Sequence, residues 1–448
     1  MSGIELYSHQ ETALALLRAN DGFALFMEQG TGKTFPVLFR LAELAGQGKV
    51  RSALVVAPKA VCDGWREKIG QLSGEQRRQL GSIELRIASY DIAWRRGDIA
   101  DGTFDAVVLD ESHYVKSPSA NRTKACIRIA SRARYRWILT GTPTSNGQLC
   151  NLWSQMAVVD PVAVVSRGRE YIYPGCLGGD SYYKWIERVA LLDKWRKPRK
   201  YIDVQGVQEA VGALSYRITK AECLDLPEKL PDEVLRVSLD QTVKPKYRSM
   251  AKSSAILELD ALAGNPLARS LRLRQIASGF IDTDDGRVEL ACRKPAALRE
   301  FIGGFEGKFV VFCEFRRSID EVSSVLAAEG VGHVVLDGRS PDKGVWREFQ
   351  ADPTVRAIIC QYQTGSAGID LYAADTCIFY EPTLRSDLNE QARDRIHRVG
   401  QTRACSYYYM LTEGTVETAI YRALRNYEDF SEALLTEYLS EYTKGERL

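Results

Sequence analysis

The chain has 448 residues, with 60 Lys and Arg against 58 Asp and Glu, a net charge of +2, 45% hydrophobic and 26% charged residues. This length exceeds one ordinary core and predicts two or three domains of a soluble, globular kind. The charge balance excludes a global cationic field, so any nucleic-acid site has to be a local stripe.

No run of about 18 apolar residues is present, so no membrane-spanning helix is expected. The opening "MSGIELYSHQETALALL" is unlike a secretory signal, and the expected location is the cytoplasm. Ten cysteines are scattered without a C-x-x-C pair, which speaks against zinc and disulfide frameworks and makes most of them small buried hydrophobes.

In chain order, "GFALFMEQG", "SALVVAPK", "LRIASY", "FDAVVLDES" and "RWILTGTP" are short apolar runs ending in polar or glycine-rich residues. Helix-length amphipathic segments such as "PVLFRLAELAGQ" and "RTKACIRIASRA" lie between them. Strands alternating with helices predict βαβ units around a mainly parallel sheet.

The first run leads into "EQGTGKT", Glu28 to Thr34. Gly30, Thr31 and Gly32 can curl backbone N–H groups around phosphate oxygens at a helix N-terminus. Lys33 would then reach the β- and γ-phosphates and the Thr34 hydroxyl would ligate Mg2+. Met27 stands where the strict pattern has its first glycine, and a structural turn is the competing reading. "AVVLDES" ends its strand in Asp110 and Glu111. Asp110 suits Mg2+ ligation, while Glu111 could orient and deprotonate a water; alternatively the pair is an acidic turn.

From about Asn151 to Ala291 the chain reads as mostly helical, with an insertion over 151–215 and a second helical segment over about 240–291. Lys194 to Lys200, "KWRKPRK", follows Tyr182, Tyr183 and Trp185. Such a cluster either grips nucleic acid or forms a solvated face over packed aromatics. "LDLPEKLPDE" suits a linker, giving domains 1–223 and 224–448. A second strand series follows: "KFVVFCEF", "GHVVLDG", "RAIICQYQTG", "TCIFYEP" and "CSYYYMLTEG".

Near its end stands "QARDRIHRVGQ". On a continuous helix, Gln391, Arg395 and Arg398 share one face, and Arg393 and His397 the other. No run of carboxylates nearby neutralises the two arginines.

The ordered set "LYSHQ", "EQGTGKT", "ALVVAPKAVCDGW", "IASYDI", "VVLDESHYVKSP", "ILTGTPTSN", "YRITKAECLDLPEKL", "LRLRQIASGF", "KFVVFCEF", "TGSAGIDL" and "QARDRIHRVGQT" resembles the Swi/Snf family of superfamily-two helicase-like ATPases. The resemblance implies an α/β fold of two RecA-like lobes with parallel sheets and helical insertions between them. It also implies ATP and Mg2+ as cofactors and hydrolysis coupled to translocation on double-stranded DNA.

By the same resemblance, Gln10 would read adenine, and Gly368, Asp370 and Gln391 would serve the nucleotide from the second lobe. His113 would couple the site to Thr140 and Thr142, and Arg395 and Arg398 would approach the γ-phosphate. Lys59, Ser89, Tyr90 and Thr364 match nucleic-acid contacts, with Arg316, Arg317 and Arg339 as plausible additions. Backbone contacts of this kind carry no sequence information.

Met27, "TLRSD" at Thr383 to Asp387, and Ser366 depart from the family pattern. The expected protein is a minimal monomeric motor of bacterial or phage type. A strand-separating helicase on DNA or RNA is the alternative, although Thr383 to Glu390 leaves little room for a wedge. A non-hydrolysing clamp is a third reading, opposed by the presence of Lys33, Asp110, Glu111, Arg395 and Arg398.

Overall fold

A computed structural model describes residues 4–144, 147–166, 168–259, 261–342, 344–365 and 369–444. The chain forms two compact units, Met1–Asp225 and Leu226–Leu448.

In the first unit, β1 (Gly22–Met27), β2 (Ser52–Ala57), β3 (Glu84–Ser89), β4 (Ala106–Asp110) and β5 (Tyr135–Leu139) build an all-parallel sheet. These runs are continuously apolar because both faces of the sheet are covered. Leu54 and Val56 enter one core, with Val107 and Leu109, while Ala53 and Val55 enter the other, with Ala106 and Val108. Helices α1 (Ser8–Ala19), α2 (Thr34–Gly46) and α3 (Cys62–Gln71) supply the second of these cores through residues such as Leu17, Leu41 and Trp65.

The stretch after Asn151 is not mostly helical, contrary to the sequence expectation. It contains two antiparallel hairpins, β6 (Pro161–Ser166) with β7 (Arg169–Pro174) and β8 (Ala190–Leu192) with β9 (Pro198–Tyr201). Helices Tyr182–Val189 and Val204–Gly212 accompany them. "PVAVVS" and "REYIYP" are rich in β-branched and aromatic side chains, which fit a pleated surface better than a helix. Strand β10 (Ser215–Ile218) then completes a six-stranded sheet of order β10-β1-β5-β4-β2-β3.

The second unit repeats the plan. Strand β11 (Glu233–Val237) opens it, and the short pairs β12 (Ala255–Ile256) with β13 (Ala261–Leu262) and β14 (Phe280–Thr283) with β15 (Gly286–Glu289) interrupt the expected helical segment. Strands β16 (Phe309–Cys313), β17 (His333–Leu336), β18 (Ala357–Gln361), β19 (Thr376–Phe379) and β20 (Ser406–Thr412) complete an all-parallel sheet of order β11-β20-β19-β16-β18-β17.

Alternate residues again serve two cores, Val310 and Phe312 on one side and Phe309, Val311 and Cys313 on the other. A third core gathers Tyr247, Met250, Leu273, Ile420 and Tyr438. It is pinned by the Tyr247 hydroxyl, which lies 2.9 Å from the Tyr438 hydroxyl and accepts from Val416 N at 2.7 Å. Lys294 and Glu417 form a fully buried ion pair at 2.7 Å, and the ammonium also donates to the Tyr380 carbonyl at 2.7 Å. No helix among the described residues is long and apolar enough to cross a membrane.

Candidate nucleotide site

Parallel strands deliver the predicted residues to one edge of the first sheet. Strand β1 runs into the glycine loop, β4 into Asp110 and Glu111, and β5, which lies between them, into Thr140 and Thr142. Ligands of open α/β sheets bind at such carboxyl ends.

Within the loop, Gly30 and Gly32 have φ of 86° and 78°, a region that L side chains avoid. A Cβ on Gly32 would come within 2.0 Å of Gln10 Nε2. Helix α1 ties down the loop carbonyls. His9 Nε2 donates to Thr31 O at 2.8 Å, and Gln10 Nε2 donates to Thr31 O at 3.1 Å and Gly32 O at 3.4 Å. Gln10 Oε1 accepts from Tyr7 N at 3.0 Å. The amide of Gln10 is therefore directed to the loop, and only an oxygen lone pair is left to meet a base.

Asp110 is buried, with Oδ2 accepting from Trp65 Nε1 at 2.8 Å and Oδ1 from Glu111 N at 3.0 Å. Burial raises its pKa above the ordinary carboxylate value. The neighbouring Glu111 adds to that, against the opposing pull of Lys33, the Trp65 hydrogen bond and Lys68. Ionisation at this position is costly without a cation, and a hard-oxygen pair of Asp110 and Thr34 fits Mg2+ held jointly with phosphate and water. Lys68 Nζ, from α3, donates to Thr34 Oγ1 at 3.0 Å.

Glu111 sits in the left-handed region at φ 52°, which costs a non-glycine residue roughly 1–2 kcal/mol. That conformation aims its carboxylate between Lys33 Nζ at 3.6 Å and His113 Nδ1 at 3.4 Å. His113 Nδ1 lies 3.1 Å from Thr140 Oγ1, which accepts from Thr142 N at 3.1 Å. The structure thus links Lys33, Glu111, His113, Thr140 and Thr142 in one chain of contacts.

Gln155 reinforces this chain: Ser112 donates to its Oε1 at 2.7 Å, and its Nε2 donates to Pro143 O at 2.7 Å. Sequence reasoning missed Gln155, His9 and Lys68. Only Lys68 left a signal, its i, i+3 spacing from Trp65 on α3.

In the second unit, the expected arginine helix stops at Arg393, the end of helix Ser386–Arg393, and Arg395 and Arg398 lie in the turns beyond it. They converge nonetheless. Arg395 Nη1 and Arg398 Nη1 donate to Ile369 O at 3.0 and 2.7 Å, and Arg395 Nε donates to Gln391 O at 3.0 Å. The expectation that no local carboxylate neutralises them is corrected, since Arg398 pairs with Asp370. Gly368 lies outside the described residues.

Arg393 and His397 are anchors. Arg393 pairs with Asp232, 4.0 Å from the centre of the Tyr407 ring, and His397 Nε2 donates to Pro227 O at 2.8 Å.

The nucleic-acid candidates divide. Tyr90 is 2% exposed and its hydroxyl donates to Asp110 O at 2.8 Å, so it braces the carboxylate strand and does not face a polymer. Ser89 is also buried, its hydroxyl accepting from Ile92 N at 3.4 Å. Arg339 is held by Asp320 and Asp337, each at 2.7 Å, and Arg317 by Glu289 at 2.6 Å and by Glu321. Lys59 and Arg316 are exposed, and Thr364 is half-buried.

Two parallel α/β units, with a phosphate loop and an Asp-Glu strand end in the first, are the parts of a loop-based nucleotide-binding protein. A SNF2-related domain matches residues 9–267, more than half of the chain, and a helicase conserved C-terminal domain matches residues 293–400. The chain belongs to the SNF2-related family.

An uncharacterized ATP-dependent helicase of Mycoplasma genitalium is 24% identical over 465 residues, 96% of this chain and 42% of that protein. Protein CHROMATIN REMODELING 24 of Arabidopsis thaliana is 24% identical over 509 residues, 93% of this chain and 45% of that protein. This chain therefore spans less than half the length of these relatives. Among solved structures, the Sulfolobus solfataricus SWI2/SNF2 ATPase core in complex with dsDNA is 21% identical, with a TM-score of 0.45, covering 99% of this chain and 94% of that one.

Proposed function

We propose that the protein is a DNA-dependent ATPase that uses Mg-ATP hydrolysis to translocate on double-stranded DNA, remodelling DNA or protein–DNA complexes. The observation that carries this reading is the contact chain from Lys33 through Glu111 and His113 to Thr140, set at the carboxyl edge of a parallel sheet in a SNF2-related chain.

In this mechanism the loop amides and Lys33 hold the β- and γ-phosphates. Thr34 and Asp110 would hold Mg2+, which when bound neutralises phosphate charge. Glu111 orients a water and accepts its proton on a carboxylate oxygen as the water oxygen attacks the γ-phosphorus and the bridging oxygen leaves with ADP. Gln10 presents its remaining oxygen lone pair to adenine, and Arg395 and Arg398, with Asp370 and Gln391 beside them, serve the γ-phosphate. Lys59, Arg316 and Thr364 contact the DNA backbone without reading sequence. We place the protein in the cytoplasm as a monomer.

The test is ATP turnover with no nucleic acid, single-stranded DNA, duplex DNA and RNA, paired with displacement of a triplex strand. Stimulation by duplex DNA and triplex displacement without unwinding are expected. Stimulation by RNA alone would overturn the reading, and strong unwinding of a plain duplex would replace it with a strand-separating helicase.

A further inference from the structure

The β8–β9 hairpin has a tip that neither the fold nor the nucleotide site uses. Its base is anchored: Ala190 is 3% exposed, and the Tyr201 hydroxyl accepts from Cys150 N at 3.1 Å. Its tip carries Trp195, 69% exposed, whereas Trp65, Trp137, Trp153 and Trp185 are all buried.

The tip is also held in shape. Asp193 Oδ1 accepts from the backbone N of Trp195 at 2.8 Å and of Lys197 at 2.9 Å, while Asp193 N donates to Lys197 O at 2.8 Å. Arg196 takes the left-handed position of this turn at φ 62°, where glycine or asparagine would relieve the steric cost. Its guanidinium pairs with Glu187 and lies 5.4 Å from the centre of the Tyr183 ring, propping the tip against helix Tyr182–Val189.

Charge selects the partner. Lys194 to Lys200 contains Lys194, Arg196, Lys197, Arg199 and Lys200, all exposed. Only Arg196 forms an ion pair with another described residue. Lys194 Nζ lies 4.2 Å from the centre of the Trp195 ring, so one face of the indole already carries a cation and stacking falls to the other. An exposed, pre-positioned indole with Lys194 on one face, in a hairpin whose Lys197, Arg199 and Lys200 are exposed and pair with no described carboxylate, matches a strand whose bases are unpaired and whose phosphates are close by, because stacking needs a free base face. A duplex offers its phosphates but not that face.

We propose that this hairpin is a separate single-strand contact, in which Trp195 stacks on an unpaired base while Lys194, Lys197 and Arg199 meet its phosphates. The proposal rests on the DNA reading above and adds a preference for DNA with an unpaired segment, such as a tailed or forked duplex.

The test uses the full chain and three labelled DNAs followed by anisotropy: a blunt duplex, the same duplex with an unpaired tail, and the tail strand alone. Trp195→Ala should weaken binding to the tailed and single-stranded DNAs by roughly 5- to 150-fold and leave blunt-duplex affinity and duplex-stimulated ATP turnover unchanged. Trp195→Phe, which keeps an aromatic face, should recover most of the loss. Lys197→Gln should reduce the salt dependence of single-strand binding by about one counterion.

Equal affinities of wild type and Trp195→Ala for all three DNAs would overturn the proposal, and so would an equal loss on the blunt duplex. Wild-type protein that binds none of the three would instead remove the DNA reading itself, so the two failures are distinguishable.

Discussion

The two units carry sheets of the same size and sense, yet they hold their functional charges in different ways. At the first unit's site the charges are buried and loosely matched: Lys33 and Glu111 stand 3.6 Å apart, and Asp110 is pushed up by burial and by Glu111. In the second unit the arginine segment is clamped, with Lys229 on Asp394 at 3.0 Å, Arg393 on Asp232, Arg398 on Asp370, and Arg395 on two carbonyls. A site proposed to receive a polyanion and its metal leaves room for charge from the ligand. A segment proposed to present a guanidinium has its geometry settled beforehand, which would limit the entropy lost on engagement.

The largest effect expected from breaking this contrast comes from Arg398→Ala. It should lower ATP turnover by about 10³–10⁵-fold, the range for an arginine at a γ-phosphate, while ATP affinity changes only a few-fold. Steady-state turnover and nucleotide titration would separate these; retained turnover would remove Arg398 from the catalytic set.

Next is the cost of a fully satisfied buried pair. Lys294→Ala strands Glu417 and should destabilise the second unit by about 3–5 kcal/mol, whereas Lys33→Ala, at a loosely paired site, should cost under about 1 kcal/mol yet abolish nucleotide binding. Urea unfolding of both variants checks this, and equal losses would erase the distinction between the units.

A smaller change is expected at Lys68, whose ammonium occupies the Thr34 hydroxyl. Lys68→Met should lower the Mg2+ concentration for half-maximal turnover by roughly 2- to 10-fold, since one charged hydrogen bond no longer competes with the metal. An unchanged Mg2+ requirement would count against that competition.

The smallest effect is in pH. The folded-state pKa of Asp110 is raised, so between its unfolded value near 4 and that raised value the folded protein binds more protons than the unfolded chain. Stability from this group is greatest at low pH and is lost as pH rises through the raised pKa. The melting temperature of ligand-free wild type, relative to Asp110→Asn, should therefore fall from pH 4 toward neutrality. A constant difference would contradict the burial argument.

The parallel sheets and the loop–carboxylate pair were legible because apolar runs ending in "EQGTGKT" and "LDES" advertise both strand and site. The hairpins after Asn151 were not, because "WIERVALLDKW" continues a helical periodicity through a strand that begins at Ala190, and only the Asp193–Lys197 turn reverses it. The arginine segment was half legible. Arg395 and Arg398 meet at the Ile369 carbonyl, but through a turn beyond Arg393 and not along one helix face, which spacing alone cannot foresee. Tyr90 was misjudged because sequence does not reveal that its hydroxyl is spent on the strand carrying Asp110.

Hydrolysis by the first unit's contact chain, as proposed, is best probed with Glu111→Gln, assayed for duplex-stimulated ATP turnover alongside ATP and DNA binding. Turnover should fall on the order of 10²–10⁴-fold with both affinities retained, as expected when a general base is lost from an intact site. Unchanged turnover in that variant would rule out Glu111 as the general base and with it hydrolysis by this contact chain.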